Sequence, residues 1–213
     1  MIHLAEAVRR NNAASIHIDK QNYGEASFLI SETLKEFRLA RHSFPDDVSC
    51  LVSTDDSPII LPREEAFCVG QDECCGMNGG FVYRRPIYIQ HDWEPTSATV
   101  VAFILIFNLA LAHQLQVTTR KEDDGASSTI KQFLERSTAL YELAYQLLLS
   151  KPDAFSIRVS LVLCNNLGQA HRALSNHHKA NGCFSRLLST LLYLKDCGME
   201  IEIGNGDAQA PLP

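Results

Sequence analysis

Apolar positions recur three and four residues apart in most of the chain, and short polar stretches separate them. This spacing is typical of amphipathic helices. It is found in residues 1–44, 97–150 and 151–195, and a polar internal loop at 117–128 interrupts the second of these ranges. The pattern predicts an all-α fold in which a hairpin of two helices is made three times, followed by a C-terminal tail at 196–213.

A six-residue phrase that begins with Asn and ends with His occurs once in each predicted hairpin. The copies are "NAASIH" at 12–17, "NLALAH" at 108–113 and "NLGQAH" at 166–171. A small residue at the third place, and another on the following helix, would let two helix axes approach closely. The small residues that we expect to pair are Ala14 with Ala26, Ala110 with Ala139, and Gly168 with Ala180.

The third copy, "NNLGQAHRALSNHHKANGCFSRLL", resembles the tetratricopeptide repeat. That repeat pairs Leu-Gly and an aromatic residue on its first helix with Ala and Phe on its second helix. The matching residues are Leu167, Gly168, His171, Ala180 and Phe184. The resemblance is weaker in the first hairpin and needs the internal loop in the second. It implies an α-solenoid of about three repeats that acts as a protein–protein interaction scaffold and not as an enzyme.

In proteins of that family, the first helices of the repeats line a concave groove. Transferred by position, the groove here would be apolar with a row of asparagines, whose amides are suited to bonding the backbone of an extended peptide. The alternative is that these asparagines bond only neighbouring helices. The predicted groove residues are Asn11, Asn12, Ser15, Ile104, Phe107, Asn108, Leu111, Asn165, Asn166, Gln169 and Arg172.

Family members that bind the carboxylate end of chaperones use lysines and an arginine that this chain lacks at the corresponding positions. Only Asn108 fits that clamp. Because the cations are missing, we expect no meaningful affinity for acidic chaperone tails.

Residues 45–96 form an irregular insertion of different character. "IILPREEAFCV" and "FVYRRPIYIQ" are rich in β-branched and aromatic residues and predict a short β-ribbon. We expect this ribbon, and "FVYRRPIYI" in particular, to lie along the groove as a tethered pseudo-ligand. The alternative is that the insertion packs on the outer face and leaves the groove open.

Charge and composition narrow the classes of partner. The formal net charge is −6, and no run of Lys or Arg exceeds two residues, so we expect no nucleic-acid binding. The apolar stretch 98–112 is shorter than the ~20 residues that a bilayer-crossing helix needs, and we interpret it as a buried helix with no membrane partner. The odd number of cysteines, 7, favours a reducing cytoplasmic or nuclear compartment.

Two groups of residues contain side chains that could bind a metal ion, but the spacing of neither group favours a metal site. His17, His113 and His171 would lie roughly 8–10 Å apart in successive hairpins, too far to share an ion. The spacing of Cys68, Cys74, Cys75 and His91 matches no usual zinc knuckle. We therefore expect no metal, no cofactor and no catalytic residues.

Two rival functions remain open from the sequence. One is an enzyme or regulatory subunit that uses Cys74, Cys75, His91 and Asp92 of the insertion. The other is a self-assembling structural protein, since apolar residues of the last helix, including Leu188 and Leu192, lie where a homodimer would form through the C-terminal edge.

Overall fold

The computed structural model describes residues 3–42, 82–89, 98–118 and 126–198. Within these residues the protein is all-α, with no β-strand. The helices are α1 (Leu4–Asp19), α2 (Tyr23–His42), α3 (Ala98–Thr118), α4 (Ala126–Ser150), α5 (Ile157–Ala173) and α6 (His177–Asp196), with a 3₁₀ turn at Pro152–Ala154 before α5. The connection between α3 and α4 is thus shorter than the predicted loop 117–128.

Turns of the same geometry join α1 to α2 and α5 to α6. Asn22 donates its backbone N–H to the carbonyl of His17 (2.8 Å), and Asn176 donates to the carbonyl of His171 (2.8 Å). This bond closes a helix end by the six-to-one pattern, which requires a left-handed residue just before the donor. Gln21 (φ 62°) and Ser175 (φ 59°) supply that conformation. Both turns therefore reverse the chain within three residues.

Helices that follow one another in sequence pack against one another, and α3 also contacts α1. The centre of the core is α3, with buried side chains on all its sides. By length and composition α3 could cross a membrane, yet 78% of its most apolar window is buried inside the protein. Such burial is typical of the core helix of a folded domain.

Close approach of paired helices is clearest between α5 and α6. A Cβ atom added to Gly168 would lie 2.6 Å from Cε1 of Phe184, so only glycine leaves room for this ring. In the first hairpin, Ala14 and Ala26 are both fully buried. The pairing of Ala14 with Ala26 and of Gly168 with Ala180 stays a prediction.

The expected pairing of Ala110 with Ala139 is wrong. Ala139 is exposed, and the residue that meets Ala110 is Ser137, whose hydroxyl donates to the Ala110 carbonyl at 2.9 Å. One turn further along α4, the fully buried residue is Tyr141, while Leu143 is 42% exposed. The sequence leaves the register of α4 open because a loop precedes it, and a serine can face a neighbouring helix as an alanine does when its hydroxyl bonds the facing backbone.

The predicted β-ribbon does not appear in the described part of the insertion. Residues 82–89 pair with no strand among the described residues, and residues 59–69 lie outside the described residues. Ser156 caps α5, since its side chain accepts from the Val159 N–H, and the side chain of Asn176 before α6 makes no capping bond.

The contact at Gly168 gives a test of the hairpin geometry. We expect Gly168→Ala to lower the free energy of unfolding by about 1–2 kcal/mol, because displacing the Phe184 ring costs more than the helix propensity gained. The matched control is Gly182→Ala in α6, where nothing lies within 4 Å of the added Cβ. It should raise stability by about 0.5–1 kcal/mol. Urea denaturation measures both, and equal stabilisation by the two substitutions would contradict the close packing.

Candidate functional site

Three asparagines, one from each helix pair, bond the backbone of the extended segment 82–89. Asn12 lies on α1, Asn108 on α3 and Asn166 on α5, each at the first place of its six-residue phrase. Each uses both ends of its amide on a single residue of the segment. We call this arrangement the asparagine ladder.

The ladder has three rungs of similar geometry. Asn166 Oδ1 accepts from the Tyr83 N–H at 2.8 Å, and its Nδ2 donates to the Tyr83 carbonyl at 2.9 Å. Asn108 makes the same pair with Ile87, at 2.8 and 2.8 Å. Asn12 makes it with Ile89, at 2.9 and 2.6 Å. The segment therefore runs from α5 across α3 to α1.

The spacing of the bonded residues follows from extended backbone. In a strand, the N–H and C=O of one residue point to the same side, and those of the next residue point to the opposite side. Tyr83, Ile87 and Ile89 are separated by even numbers of residues, so their polar groups share one edge. The amides take the place that a neighbouring β-strand would have.

Polar neighbours fix the orientation of the central rung. Asn11 Nδ2 donates to the Ile87 carbonyl at 3.0 Å, and Asn11 Oδ1 accepts from Asn108 Nδ2 at 3.0 Å. Ser15 Oγ also accepts from Asn108 Nδ2, at 3.3 Å. Asn11, Ser15 and Asn108 are fully buried. Since a reversed amide would place like atoms together, these contacts hold Asn108 Oδ1 toward the Ile87 N–H.

The rung on α5 is positioned by α4. Tyr141 Oη accepts from Asn166 Nδ2 at 3.2 Å and donates to Gln114 Oε1 at 2.9 Å. All three side chains are fully buried, and burial raises the pKa of Tyr141. The sequence did not single out Tyr141, although a hydroxyl on the apolar face of α4 was a visible signal that a buried partner exists.

Side chains of the segment divide by burial. Tyr83, Pro86, Ile87 and Ile89 are buried, whereas Arg85 and Tyr88 are exposed. The buried side chains Tyr83, Ile87 and Ile89 belong to the same core cluster as α3. The segment is thus held by apolar contacts as well as by the ladder.

Two further bonds fasten the edges of the segment. The Tyr88 hydroxyl donates to Asp19 Oδ2 at 2.6 Å, and burial together with this bond raises the pKa of Tyr88. Arg84 Nη2 donates to Thr118 Oγ1 at 3.3 Å. Both bonds reach residues that the sequence did not place in the groove.

The predicted groove residues fall into three groups. Four asparagines contact the segment, and Ser15 supports one of them. Three apolar residues on α3 are buried in the core: Ile104, Phe107 and Leu111. The remaining three lie on α5, and their described bonds reach residues outside the segment: half-buried Asn165 and Gln169, and exposed Arg172. Asn165 Nδ2 donates to Asn166 Oδ1 at 3.2 Å.

The asparagines therefore do more than bond neighbouring helices, and the described part of the insertion lies across the first helices and not on the outer face. This arrangement agrees with the pseudo-ligand hypothesis. The ladder bonds neutral backbone amide groups and carries no net charge of its own.

The three repeated histidines lie on α1, α3 and α5. The His113 ring contacts the Phe133 ring, with 5.6 Å between centroids, and His171 Nε2 lies 3.5 Å from Glu142 Oε1. Burial, with a smaller effect of Arg136, lowers the pKa of His113 to about 4. Burial also lowers the pKa of His171. The His113 and His171 rings therefore pack between helices in their neutral form.

Within the described residues, no three His, Cys, Asp or Glu side chains lie close enough to hold a metal ion. The thiols of Cys164, Cys183 and Cys197 are free, and burial raises the pKa of Cys164 to about 11, which keeps it unreactive at neutral pH. The alternative enzymatic cluster, Cys74, Cys75, His91 and Asp92, lies outside the described residues, as does Cys68.

No family model, curated protein or solved structure matches the chain.

The central rung can be tested by substitution. We expect Asn108→Ala to lower the free energy of unfolding by about 2–4 kcal/mol, because the buried N–H of Ile87 loses its acceptor and the Ile87 carbonyl loses one of its two donors. Hydrogen exchange at the Ile87 amide should accelerate in parallel. Asn176→Ala is the matched control, exposed and without a capping bond, and should change stability by at most about 0.5 kcal/mol. Unchanged protection of the Ile87 amide in Asn108→Ala would contradict the ladder.

The histidine on α3 predicts a pH dependence. Between pH 6.5 and about 4 the unfolded chain binds a proton at His113 that the folded chain does not. Stability should therefore fall as the pH is lowered through this window. Urea denaturation at several pH values should show a shallower fall for His113→Gln than for the wild type. His177→Gln, at an exposed position of α6, should keep the wild-type slope, and a wild-type slope in His113→Gln would show that the ring is not held neutral.

Proposed function

We propose that the protein is a protein–protein interaction scaffold of the tetratricopeptide-repeat type, whose groove takes up an extended peptide of a partner. In this proposal α1–α2, α3–α4 and α5–α6 are three successive repeats of a helical-hairpin array. We assign it no catalytic role, no metal and no cofactor, and we place it in a reducing cytoplasmic or nuclear compartment.

The repeat character is supported by equivalences between the hairpins. The turn after α1 and the turn after α5 share their hydrogen bonds and their left-handed residue. Asn12, Asn108 and Asn166 occupy the same place in the six-residue phrase and make the same bidentate pair. Equal roles at equal phrase positions are what successive copies of one unit would give.

The observation that carries the proposal is the asparagine ladder itself. Three amides from three helix pairs meet both polar groups of three residues in one extended segment. Bonds of this kind supply affinity without requiring a particular side chain, while the apolar surroundings select the side chains. A groove with these properties suits a peptide ligand better than a small molecule or an anion.

A second surface supports the rival proposal of self-association. Leu188, Leu192 and Tyr193 on α6 are 57%, 52% and 61% exposed. Three large apolar side chains on one exposed helix are an uncommon feature unless another surface covers them. They offer a route to a homodimer through the C-terminal edge.

The two surfaces can be separated by substitution. Asn12→Ala removes the rung at the half-buried end of the ladder, and Leu188→Glu with Leu192→Glu alters only the face of α6. We expect partners captured from the source cells to be recovered about tenfold less with Asn12→Ala, from the loss of two hydrogen bonds. Circular dichroism verifies that each variant is folded.

The α6 variant should retain these partners. Loss of partners in the α6 variant alone, together with a lower mass by light scattering, would instead favour self-association and reject the groove as the docking site.

A further inference from the structure

We propose a ligand pattern and a mode of regulation for the groove, and both rest on the function proposed above. The external ligand is an extended peptide with an aromatic residue, a Pro-aliphatic pair three and four residues later, and a second aliphatic residue two positions after that pair. Segment 82–89 carries this pattern in "YRRPIYI" and acts as a tethered competitor that keeps the groove closed.

Burial within the segment gives the pattern. Tyr83, Pro86, Ile87 and Ile89 are the buried side chains of the segment, and Val82 and Arg84 are half-buried. Since Arg85 and Tyr88 are exposed, we leave their positions unrestricted. The buried set defines which side chains a replacing peptide has to supply.

Backbone register restricts the pattern further. The rungs contact the N–H and C=O of the first, fifth and seventh residues counted from Tyr83, so these positions need a free N–H. Pro86 is the fourth residue, outside this register, and its missing N–H costs no rung. A proline there also holds the backbone extended before binding and reduces the entropy lost on docking.

Among the described bonds of the segment, those at its C-terminal end include the most exposed ones. Asn108 and Asn166 are fully buried, whereas Asn12, which bonds Ile89, is half-buried. The Tyr88–Asp19 bond at this end lies on the surface. Exposed hydrogen bonds of this kind open at lower free energy than buried ones, so displacement would begin at Ile89 and proceed toward Tyr83.

Tethering explains why the groove would be closed at rest. A covalently attached ligand acts at an effective concentration of about millimolar, so a free peptide of equal intrinsic affinity competes poorly. A variant that weakens the binding of the segment to the groove, without altering the groove itself, should therefore bind the free peptide more tightly than the wild type does.

The probe is the synthetic peptide VYRRPIYI with a fluorescent label, titrated into the full chain and followed by anisotropy. Ile89→Asp opens the C-terminal end of the segment, because it places a carboxylate at a buried apolar position. We expect this variant to bind the peptide at least tenfold more tightly than the wild type, and the peptide to raise its Tm. Should Ile89→Asp fail to fold, Tyr88→Phe, which removes only the hydroxyl bonded to Asp19, should bind several-fold more tightly than the wild type.

Two modified peptides test the register. N-methylation at Ile87 removes the N–H that donates to Asn108 Oδ1. We expect the methylated peptide to bind at least tenfold more weakly. N-methylation at Tyr88, whose bond to the described residues is made by its hydroxyl, is the matched control and should leave binding nearly unchanged. Equal effects of the two modifications would overturn the register.

The outcomes separate this inference from the proposed function. If an opened variant binds a scrambled peptide as tightly as VYRRPIYI, the pattern is wrong while the groove remains a peptide-binding site. If a folded, opened variant binds neither peptide at millimolar concentration, the segment is a fixed part of the core, and both the inference and the groove function are rejected.

Discussion

The structure depends on hydrogen-bond partners for the backbone N–H and C=O groups of segment 82–89. The bonded residues of this segment are buried, and no strand among the described residues lies beside it. Each buried N–H or C=O left unpaired would cost roughly 1–3 kcal/mol, and segment 82–89 would bring six such groups at its three bonded residues alone. Asparagine carries a donor and an acceptor in the same relative arrangement as a peptide group. One asparagine can therefore replace one residue of a missing strand, and three of them do so in the ladder.

The same segment links parts of the chain that are far apart in sequence. It precedes α3, yet it bonds Asn12 on α1 and Asn166 on α5. Displacing it would therefore affect all three helix pairs together. Small residues between paired helices complete this arrangement, because close axes keep each asparagine near the backbone that it bonds. Gly168 under Phe184 is the tightest such contact described.

The chemistry of the ladder also bears on which ligands suit the proposed scaffold. Neutral amides, buried and oriented by Asn11, Ser15 and Tyr141, offer directional bonds but no net charge. A carboxylate-ended or phosphorylated ligand would lose hydration there without gaining a counter-ion. An uncharged extended backbone loses less hydration free energy in the groove. Side chains such as Pro86 and Ile87 are stabilised there because their apolar surface is removed from water. Occupancy by the chain's own segment and the proposed preference for extended peptides thus have one physical origin.

The sequence by itself determined the helical class, the three helix pairs and the importance of the repeated Asn and small residues, because these follow from local periodicity and from the size of side chains. It also favoured a position of "FVYRRPIYI" along the first helices, since the apolar residues Ile104, Phe107 and Leu111 need cover, but it left the outer face open as an alternative. Only the tertiary structure decided the register of α4, where Ser137 and not Ala139 meets Ala110, because a loop of unknown path removes the phase between two helices. It alone decided that the polar edge of the segment bonds asparagine side chains, and that Tyr141 and Asp19 take part, because such contacts join residues whose separation along the chain carries no local signal.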